Sequence, residues 1–336
     1  PVFNAFDLVR RSLGRVEANT EIDWHLIVVD DASSQEGLSD WLRAWAEDRL
    51  SRVTLVSKPV NEGFIAAVNA GFAVAEGRHD GPIVLLNSDA MVPLGWASRL
   101  IAPLADPSVA SVTPMSNDAE ILSVPEIVTA NQLSLGEAEK LDMAASELPD
   151  VPGLELPTGV GFCMAMGRQW LAQVPRFDPD FGRGYGEEVD WCRRTAALGG
   201  RHLAQPRLFV EHLGGQSFGG EEKKERIRRA NAKIARRYPE YDAEVQRFIA
   251  EDPLATPRLR LALKLATLRT GRLRVYLGHT LGGGAENALM AEVSDLPACA
   301  VIRVGGAVRW QFEVYFEGTR AVSGVTPEFE DIERLL

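Results

Sequence analysis

The chain has 336 residues and a formal net charge of −11, with 46% hydrophobic, 25% charged and 7% aromatic residues. At roughly 150 residues per domain it holds about two domains with real cores, and its composition lies far from the disordered, collagen-like and disulfide-dense classes. The acidic balance leaves no global footprint for a phosphate backbone, which excludes general nucleic-acid binding and leaves only local basic patches.

Residues 25–90 alternate between apolar runs and helical stretches: a strand His25-Leu26-Ile27-Val28-Val29, a helix over 36–49, a strand Val53-Thr54-Leu55-Val56, a helix over 63–77 and a strand Ile83-Val84-Leu85-Leu86. This is the pattern of βαβ units. Short apolar runs without polar alternation suit strands buried on both faces, so an α/β domain with a mostly parallel sheet flanked by helices is expected. Asp30-Asp31 and Asn87-Ser88-Asp89 directly follow two of these strands. Both clusters then sit at the carboxyl edge, where open α/β sheets bind ligands.

Further on come a strand at 109–114, an acidic helix near 136–147, a strand at 162–166, a helix over 187–199 stopped by Gly199-Gly200, and a strand at 207–211. Residues 221–238 form a helix with eight Lys or Arg against three Glu, followed by a second helix ending near 250 and a break at Pro253 and Pro257. Residues 258–274 carry six basic residues and no acidic one, interleaved with Leu259, Leu261, Leu263, Leu265 and Leu268, the pattern of either a docked linker helix or an interfacial membrane helix. A strand then starts at Arg274-Val275-Tyr276-Leu277-Gly278-His279, and the remaining length is too short for a second doubly wound domain. The expected division is a main domain over 1–220, a helical extension over 221–272 and a small C-terminal α/β fragment over 273–336.

Cys163, Cys192 and Cys299 make no Cys-x-x-Cys pair, so neither a zinc knuckle nor a disulfide framework is indicated and a reducing cytoplasm is the simplest compartment. No apolar run approaches 18 residues and no basic leader precedes one, so no transmembrane span or signal peptide is expected. The first residue, Pro1, reads as a trimmed start.

An ionised carboxylate only accepts hydrogen bonds, so Asp30 or Asp31 suits a nucleobase N–H. Asp89, one strand away, suits a divalent cation shared with a diphosphate. The structural alternative for either cluster is turn or N-cap chemistry. Neither a P-loop nor a Gly-x-Gly-x-x-Gly fingerprint is present. The glycine-rich stretch Gly182-Arg183-Gly184-Tyr185-Gly186 reads as a flexible substrate loop. Glu187, Glu188 and Asp190 open a helix, where acidic groups favour the dipole and where a carboxylate is also well placed as a general base. Trp191 suits either a sugar face or the core.

The segments Pro1-Val2-Phe3-Asn4-Ala5, Val29-Asp30-Asp31-Ala32-Ser33, Asn61-Glu62-Gly63-Phe64, Leu86-Asn87-Ser88-Asp89, Thr158-Gly159, Gly186-Glu187-Glu188-Val189-Asp190-Trp191-Cys192 and Glu211-His212-Leu213-Gly214-Gly215-Gln216-Ser217 follow one another in order. This series resembles the family 2 glycosyltransferases, inverting enzymes of the GT-A fold, over residues 1 to about 220. The resemblance implies transfer of a sugar from a nucleotide-diphosphate donor with a divalent metal, manganese or magnesium.

It places Pro1, Phe3, Asn4, Asp30 and Asp31 around the base and ribose, and Asn61 and Gly63 near the diphosphate. Asn87, Ser88 and Asp89 stand at the metal motif, with Asp89 on the metal. Asn87-Ser88-Asp89 departs from the fuller Asp-x-Asp form, which makes His212 the second ligand and tilts the preference toward manganese. Glu188 occupies the position of the family's base, with a side chain one methylene longer than the usual Asp, and Asp190 is the runner-up. Gly159, Glu187 and Trp191 fall on the substrate side.

Val275 to Glu286, with His279 and Gly282-Gly283-Gly284, resembles the opening strand and loop of family 4 glycosyltransferases of the GT-B fold. That likeness covers about twelve residues and implies a truncated, inactive tail. The expected function is a metal-dependent inverting glycosyltransferase using a UDP or dTDP sugar and a glycan or lipid-linked acceptor. The expected setting is bacterial surface polysaccharide synthesis, in the cytoplasm or at the inner face of the membrane, with basic residues 223–237 and 258–274 as membrane contacts. The alternatives are a nucleotidyltransferase acting on sugar phosphates and a non-catalytic carbohydrate-binding module. The first would show a basic Gly-rich loop after its first strand, where this chain has Pro1-Val2-Phe3-Asn4.

Overall fold

The computed structural model describes residues 1–78, 81–149, 153–214, 220–279, 281–305 and 310–326. The chain divides into two compact units, residues 1–114 with 151–250 and residues 115–150 with 251–336. This division falls close to the Pro253 and Pro257 break.

The first unit begins with α1 (Phe6–Asn19), β1 (Leu26–Asp30), α2 (Leu38–Glu47), β2 (Val53–Ser57), α3 (Phe64–Glu76) and β3 (Ile83–Leu86). Helix α1 was absent from the sequence expectation, although Val9, Leu13 and Val16 repeat at helical spacing on its buried face. β1 and β2 pair in parallel from Leu26↔Val53 to Asp30↔Ser57, and Val2 adds a parallel bridge to Asp30. Val9, Leu38, Leu42 and Trp45 of the helices pack around Val28 and Val53.

The chain continues through β4 (Ala90–Met91), α4 (Trp96–Ile101), β5 (Val109–Met115), α5 (Glu137–Ser146), β6 (Cys163–Met166), α6 (Arg168–Gln173), α7 (Glu187–Ala196), β7 (Arg201–Phe209) and β8 (Glu211–His212). A second sheet has the order β3-β6-β5-β7, and β6 runs antiparallel to both its neighbours. β3 and β5 therefore point the same way, with one reversed strand between them. β7 starts earlier than the expected 207–211 strand because the Gly199-Gly200 turn leads straight into it.

Next come α8 (Gly220–Arg237) and α9 (Tyr241–Glu251). Ala230 and Ile234 of α8 join the core formed by Ile65, Phe72, Met164, Phe177, Phe181 and Trp191, with Tyr241 packed against it. The basic face of α8 is partly spent on the protein itself, since Arg228 and Arg229 both pair with Glu225. The side chain of Lys223 lies outside the described residues.

The second unit contains α5, α10 (Ala255–Thr270), β9 (Val275–His279), α11 (Gly284–Ser294), β10 (Ala298–Val304), β11 (Trp310–Phe316) and β12 (Thr319–Thr326). β9 and β10 pair in parallel across α11, and β10, β11 and β12 then form an antiparallel meander. Leu259, Ala262, Leu263 and Ala266 of α10 pack on Ala300, Ile302, Phe312 and Val314, while Leu261 and Leu265 are buried as well. Of the two readings of 258–274, this packing suits the docked helix, because most of the leucines a membrane-facing helix would offer to lipid are covered here. Among the described residues, no helix is long and apolar enough to cross a membrane.

Arg258 is wholly buried in this unit. Its guanidinium donates to both carboxylate oxygens of Asp252 at 3.1 Å, to the Ile121 carbonyl at 2.9 Å and to the Ser123 carbonyl. Arg258→Ala removes every one of these donors and leaves a carboxylate and two carbonyls unmet, at a cost of roughly 3–5 kcal/mol. Arg258→Lys recovers only part of this because an ammonium cannot fork to both oxygens. Denaturant midpoints of the two variants check the order, and equal midpoints for Arg258→Ala and wild type would contradict it.

Candidate active site

The end of β1 is built by short-range hydrogen bonds that the sequence does not spell out. Asp30 accepts from the Ser33 N–H at 3.0 Å and from the Ser39 hydroxyl at 2.5 Å. Its carboxylate is thus spent on the turn into α2, the structural alternative raised above. Asn4, at a positive φ of 59°, accepts from the N–H groups of Ser34 and Gln35 at 2.8 and 2.9 Å. Pro1 and Phe3 flank the Val2 bridge and are half-buried. The first four residues are in this way tied to the loop that follows β1.

Asp31 is buried and accepts from the N–H groups of Glu62 and Gly63 at 3.1 and 2.7 Å, and Lys58 Nζ lies 2.8 Å from its Oδ1. A carboxylate has about four lone-pair sites, so these three contacts leave room for one more donor. Lys58 also reaches Glu62 at 2.8 Å. It follows β2 directly at the carboxyl edge, so the rule that singled out the aspartates could have found it too.

Gly63 has a φ of 95°, and a Cβ there would lie 2.8 Å from Arg183 Cβ and 2.9 Å from its Cα. Only glycine tolerates both conditions. The Arg183 carbonyl accepts from the Phe64 N–H at 3.1 Å, and its guanidinium donates to the Asn61 carbonyl at 3.1 Å. The 182–186 loop, expected to be a flexible substrate loop, is packed onto the first turn of α3.

The second edge lies after β3. The Asn87 N–H donates to the Phe162 carbonyl at 2.8 Å, and Ala90 N–H closes a turn on the Asn87 carbonyl at 3.1 Å. This turn presents Ser88 and Asp89. β4 then pairs antiparallel with β8 through Ala90↔His212 and Met91↔Glu211, and the Leu213 N–H donates to the Asp89 carbonyl at 3.0 Å. Asp89 Oδ1 and His212 Nε2 stand 3.4 Å apart. Two donors in adjacent positions of an octahedral shell with bonds of about 2.1 Å are about 3 Å apart, so this pair fits one small divalent cation. Among the described residues there is no group of three or more His, Cys, Asp or Glu able to hold a metal. A cation here would take its other ligands from a diphosphate and water. Residues 215–217 of the His212 segment lie outside the described residues.

Phe162, which the sequence reading passed over, ties this edge to α7. Its ring lies 5.1 Å from the His212 ring. A Cβ on its neighbour Gly161 would meet Glu188 Cβ and Cγ at 3.8 Å. Glu188 thus sits against the same short segment that supports Asp89 and His212. Glu187 is buried, and burial pushes its carboxyl up to about 7 while its side chain shares a hydrogen bond with Glu188.

Three expected site residues take other roles. Asp190 is wholly buried, with Arg237 at 2.7 Å and the Tyr238 hydroxyl at 2.8 Å on Oδ1, and Arg194 at 2.8 Å on Oδ2. Burial, reinforced by Asp190, pushes the Tyr238 phenol up to about 12. Arg237 also pairs with Asp178 at 2.6 Å and lies 5.0 Å over the Phe181 ring. Asp190 therefore joins α7 to α8, and its complete burial keeps its oxygens from an acceptor. Trp191 is wholly buried and donates from Nε1 to the Val174 carbonyl at 2.9 Å, so neither ring face is open to a sugar. A Cβ on Gly159 would fall 2.6 Å from Met164 Sδ, and its N–H donates to Cys192 Sγ at 3.3 Å. Its smallness lets α7 pack onto the sheet and does not expose it to substrate.

Comparison with known proteins bears on the fold and the family. The family model described as Glycosyl transferase family 2 matches residues 1–174. The crystal structure of GalNAc-T7 with UDP, GalNAc and Mn2+ is similar at a TM-score of 0.52 and 17% identity, over 68% of this chain and 45% of that one. The mannosyltransferase PcManGT from Pyrobaculum calidifontis, in complex with GDP-Man and Mn2+, is similar at a TM-score of 0.51 and 18% identity, over 88% of this chain and 78% of that one. This chain thus spans less than half the length of the GalNAc-T7 chain. No curated protein matches the sequence. Glu188 and His212 lie beyond the family match, but the match covers more than half of the 336 residues. The chain has the α/β GT-A fold and belongs to glycosyl transferase family 2.

Proposed function

We propose that the first unit transfers a sugar from a nucleotide-diphosphate donor to an acceptor hydroxyl, with inversion at the anomeric carbon and with a divalent cation between Asp89 and His212. One observation carries the reading: the β4–β8 pairing sets Asp89 Oδ1 3.4 Å from His212 Nε2. The Mn2+ and nucleotides named for both similar structures support it.

Asp31, with the Pro1–Asn4 segment, would hold the base and ribose, and Asn61 and Gly63 would face the diphosphate. Asn61 Oδ1 and Asn87 Oδ1 are buried and accept from no donor among the described residues, which leaves both for donor hydroxyl or N–H groups. The cation, when bound, would neutralise charge on the departing diphosphate. Glu188 would take the acceptor hydroxyl's proton as the acceptor oxygen bonds to the anomeric carbon. The carbon–oxygen bond to the diphosphate breaks at the same time and its electron pair leaves with the diphosphate. In-line attack opposite the leaving group gives inversion.

The resemblance further supports a UDP or dTDP sugar, a glycan or lipid-linked acceptor and work on a bacterial surface polysaccharide at the cytoplasmic face of the membrane. It also supports reading 1–220 as the transferase segment, 221–272 as a helical extension and 273–336 as the opening of a GT-B-like domain. The β9–α11–β10 unit suits that last reading, and the antiparallel β11 and β12 are a different continuation.

Glu188→Gln is nearly isosteric but cannot accept a proton, so turnover should fall about 100-fold or more with little change in donor affinity. Asp190→Asn should instead act on stability. Its cost falls somewhat below the roughly 3–5 kcal/mol of a fully buried pair because Arg237 keeps Asp178, and turnover per folded molecule is retained. Transfer kinetics and thermal melts on both variants check this split; loss of transfer in Asp190→Asn with an unchanged melt would move the base to Asp190. Asp89→Ala and His212→Ala should each abolish the gain in nucleoside-diphosphate affinity that manganese gives the wild type, measured by calorimetry. A wild-type metal response in both variants would refute the cation assignment.

A further inference from the structure

Arg183 lies along the loop that the proposed function gives to the diphosphate. Its stem crosses Gly63, where a Cβ would meet Arg183 Cβ at 2.8 Å and Cγ at 3.1 Å, and its guanidinium donates to the Asn61 carbonyl at 3.1 Å. A guanidinium holds several N–H donors in a fixed fork, and that bond uses one of them. The side chain is exposed and pairs with no carboxylate among the described residues. Lys58, a cation at the same edge, is spent in contrast, with its Nζ 2.8 Å from Asp31 and 2.8 Å from Glu62. The segment that carries Arg183 is also held in a costly shape. Gly182, Gly184, Tyr185 and Gly186 all have φ between 74° and 138°, a region that only glycine enters freely. Tyr185 packs against the core that contains Ile65, Phe177 and Trp191, and the Arg183 carbonyl accepts from the Phe64 N–H at 3.1 Å. Strain of this kind persists only where the surroundings over-determine it, and here it presents one arginine with donors to spare.

We propose that Arg183 binds the diphosphate of the sugar donor, its remaining N–H groups forking to phosphate oxygens. The proposal rests on the reading of Asn61 and Gly63 as the diphosphate side of the site. The planar fork of a guanidinium matches pairs of phosphate oxygens. With the stem laid on Gly63 and the head tied to Asn61, little side-chain freedom is left to lose on binding. When the bond from the anomeric carbon to the diphosphate breaks, its electron pair leaves with the diphosphate, and a guanidinium fixed beforehand stabilises the charge that develops there.

The test is calorimetric binding of UDP, and of uridine by competition, to the wild type, Arg183→Met and Arg183→Lys, with and without manganese. Methionine keeps a stem to lie on Gly63 and removes the charged head. Arg183→Met should weaken UDP about 10-fold and leave uridine unchanged, and Arg183→Lys, which keeps the charge and loses the fork, should fall between. The gain from manganese should persist in both variants, because Asp89 and His212 are untouched. Unchanged UDP affinity in Arg183→Met overturns the proposal and leaves the proposed function standing. Equal weakening of UDP and uridine also overturns it, since Arg183 would then only brace the loop whose N–H groups meet Asp31. A wild type that binds uridine as tightly as UDP refutes the diphosphate reading itself. Phenylglyoxal labelling of the wild type, mapped by mass spectrometry, needs no variant to fold: UDP should protect Arg183 and uridine should not. Labelling of Arg183 that UDP leaves unaltered overturns the proposal.

Discussion

A pairing of two residues with two, Ala90 with His212 and Met91 with Glu211, is the constraint on which the candidate site depends. It joins parts of the chain at least 120 residues apart and fixes the separation of Asp89 and His212 by backbone hydrogen bonds instead of by their own side chains. Asp89 also accepts from the Leu213 N–H through its carbonyl, so its main chain is fixed by backbone hydrogen bonding. Phe162 extends the constraint, holding Asn87 by its carbonyl and lying against His212 by its ring. Its neighbour Gly161 leaves space for Glu188. Backbone on a rigid sheet edge therefore brings Asp89, His212 and Glu188 into one region, the preorganisation that the proposed transfer needs.

Around this edge the acidic chain manages its charges in two distinct ways. Asp30, Asp31 and Asp190 are buried with partners for their oxygens, and each holds one segment to another: the turn into α2, the loop before α3, and α8 against α7. Burying such groups stabilises only when every partner is present, which makes the loops they fasten sensitive to single substitutions. Glu187 follows the other route: its buried Oε2 accepts from no donor among the described residues, and burial pushes its carboxyl up to about 7. The region thus combines firmly paired aspartates with a buried glutamate, Glu187, whose Oε2 accepts from no donor among the described residues.

The alternation of apolar runs was enough to read β1, α2, β2, α3 and β3, because strands buried on both faces and a single amphipathic helix period leave an unambiguous pattern. Asp89 and His212 were legible only through an ordered set of motifs, since nothing local to His212 announces that it pairs opposite Ala90. What the sequence hid is non-local. Asp190 and Glu188 stand two residues apart and look alike, and only the arrival of Arg237 at the end of α8 and of Tyr238 just after it separates them. Leucines among arginines in α10 fit a membrane surface as well as a core, and the sheet formed by later residues decides for the core. The reversed β6 had no signature either, because an apolar run reads the same in both directions.

The central claim, that Asp89 and His212 hold one cation together with a nucleotide diphosphate, is tested most directly by pulsed electron paramagnetic resonance of Mn2+ added with UDP. Modulation from an imidazole nitrogen should appear in the wild-type spectrum and vanish in His212→Ala. Manganese and UDP bound to the wild-type protein with no nitrogen coupling would contradict the claim.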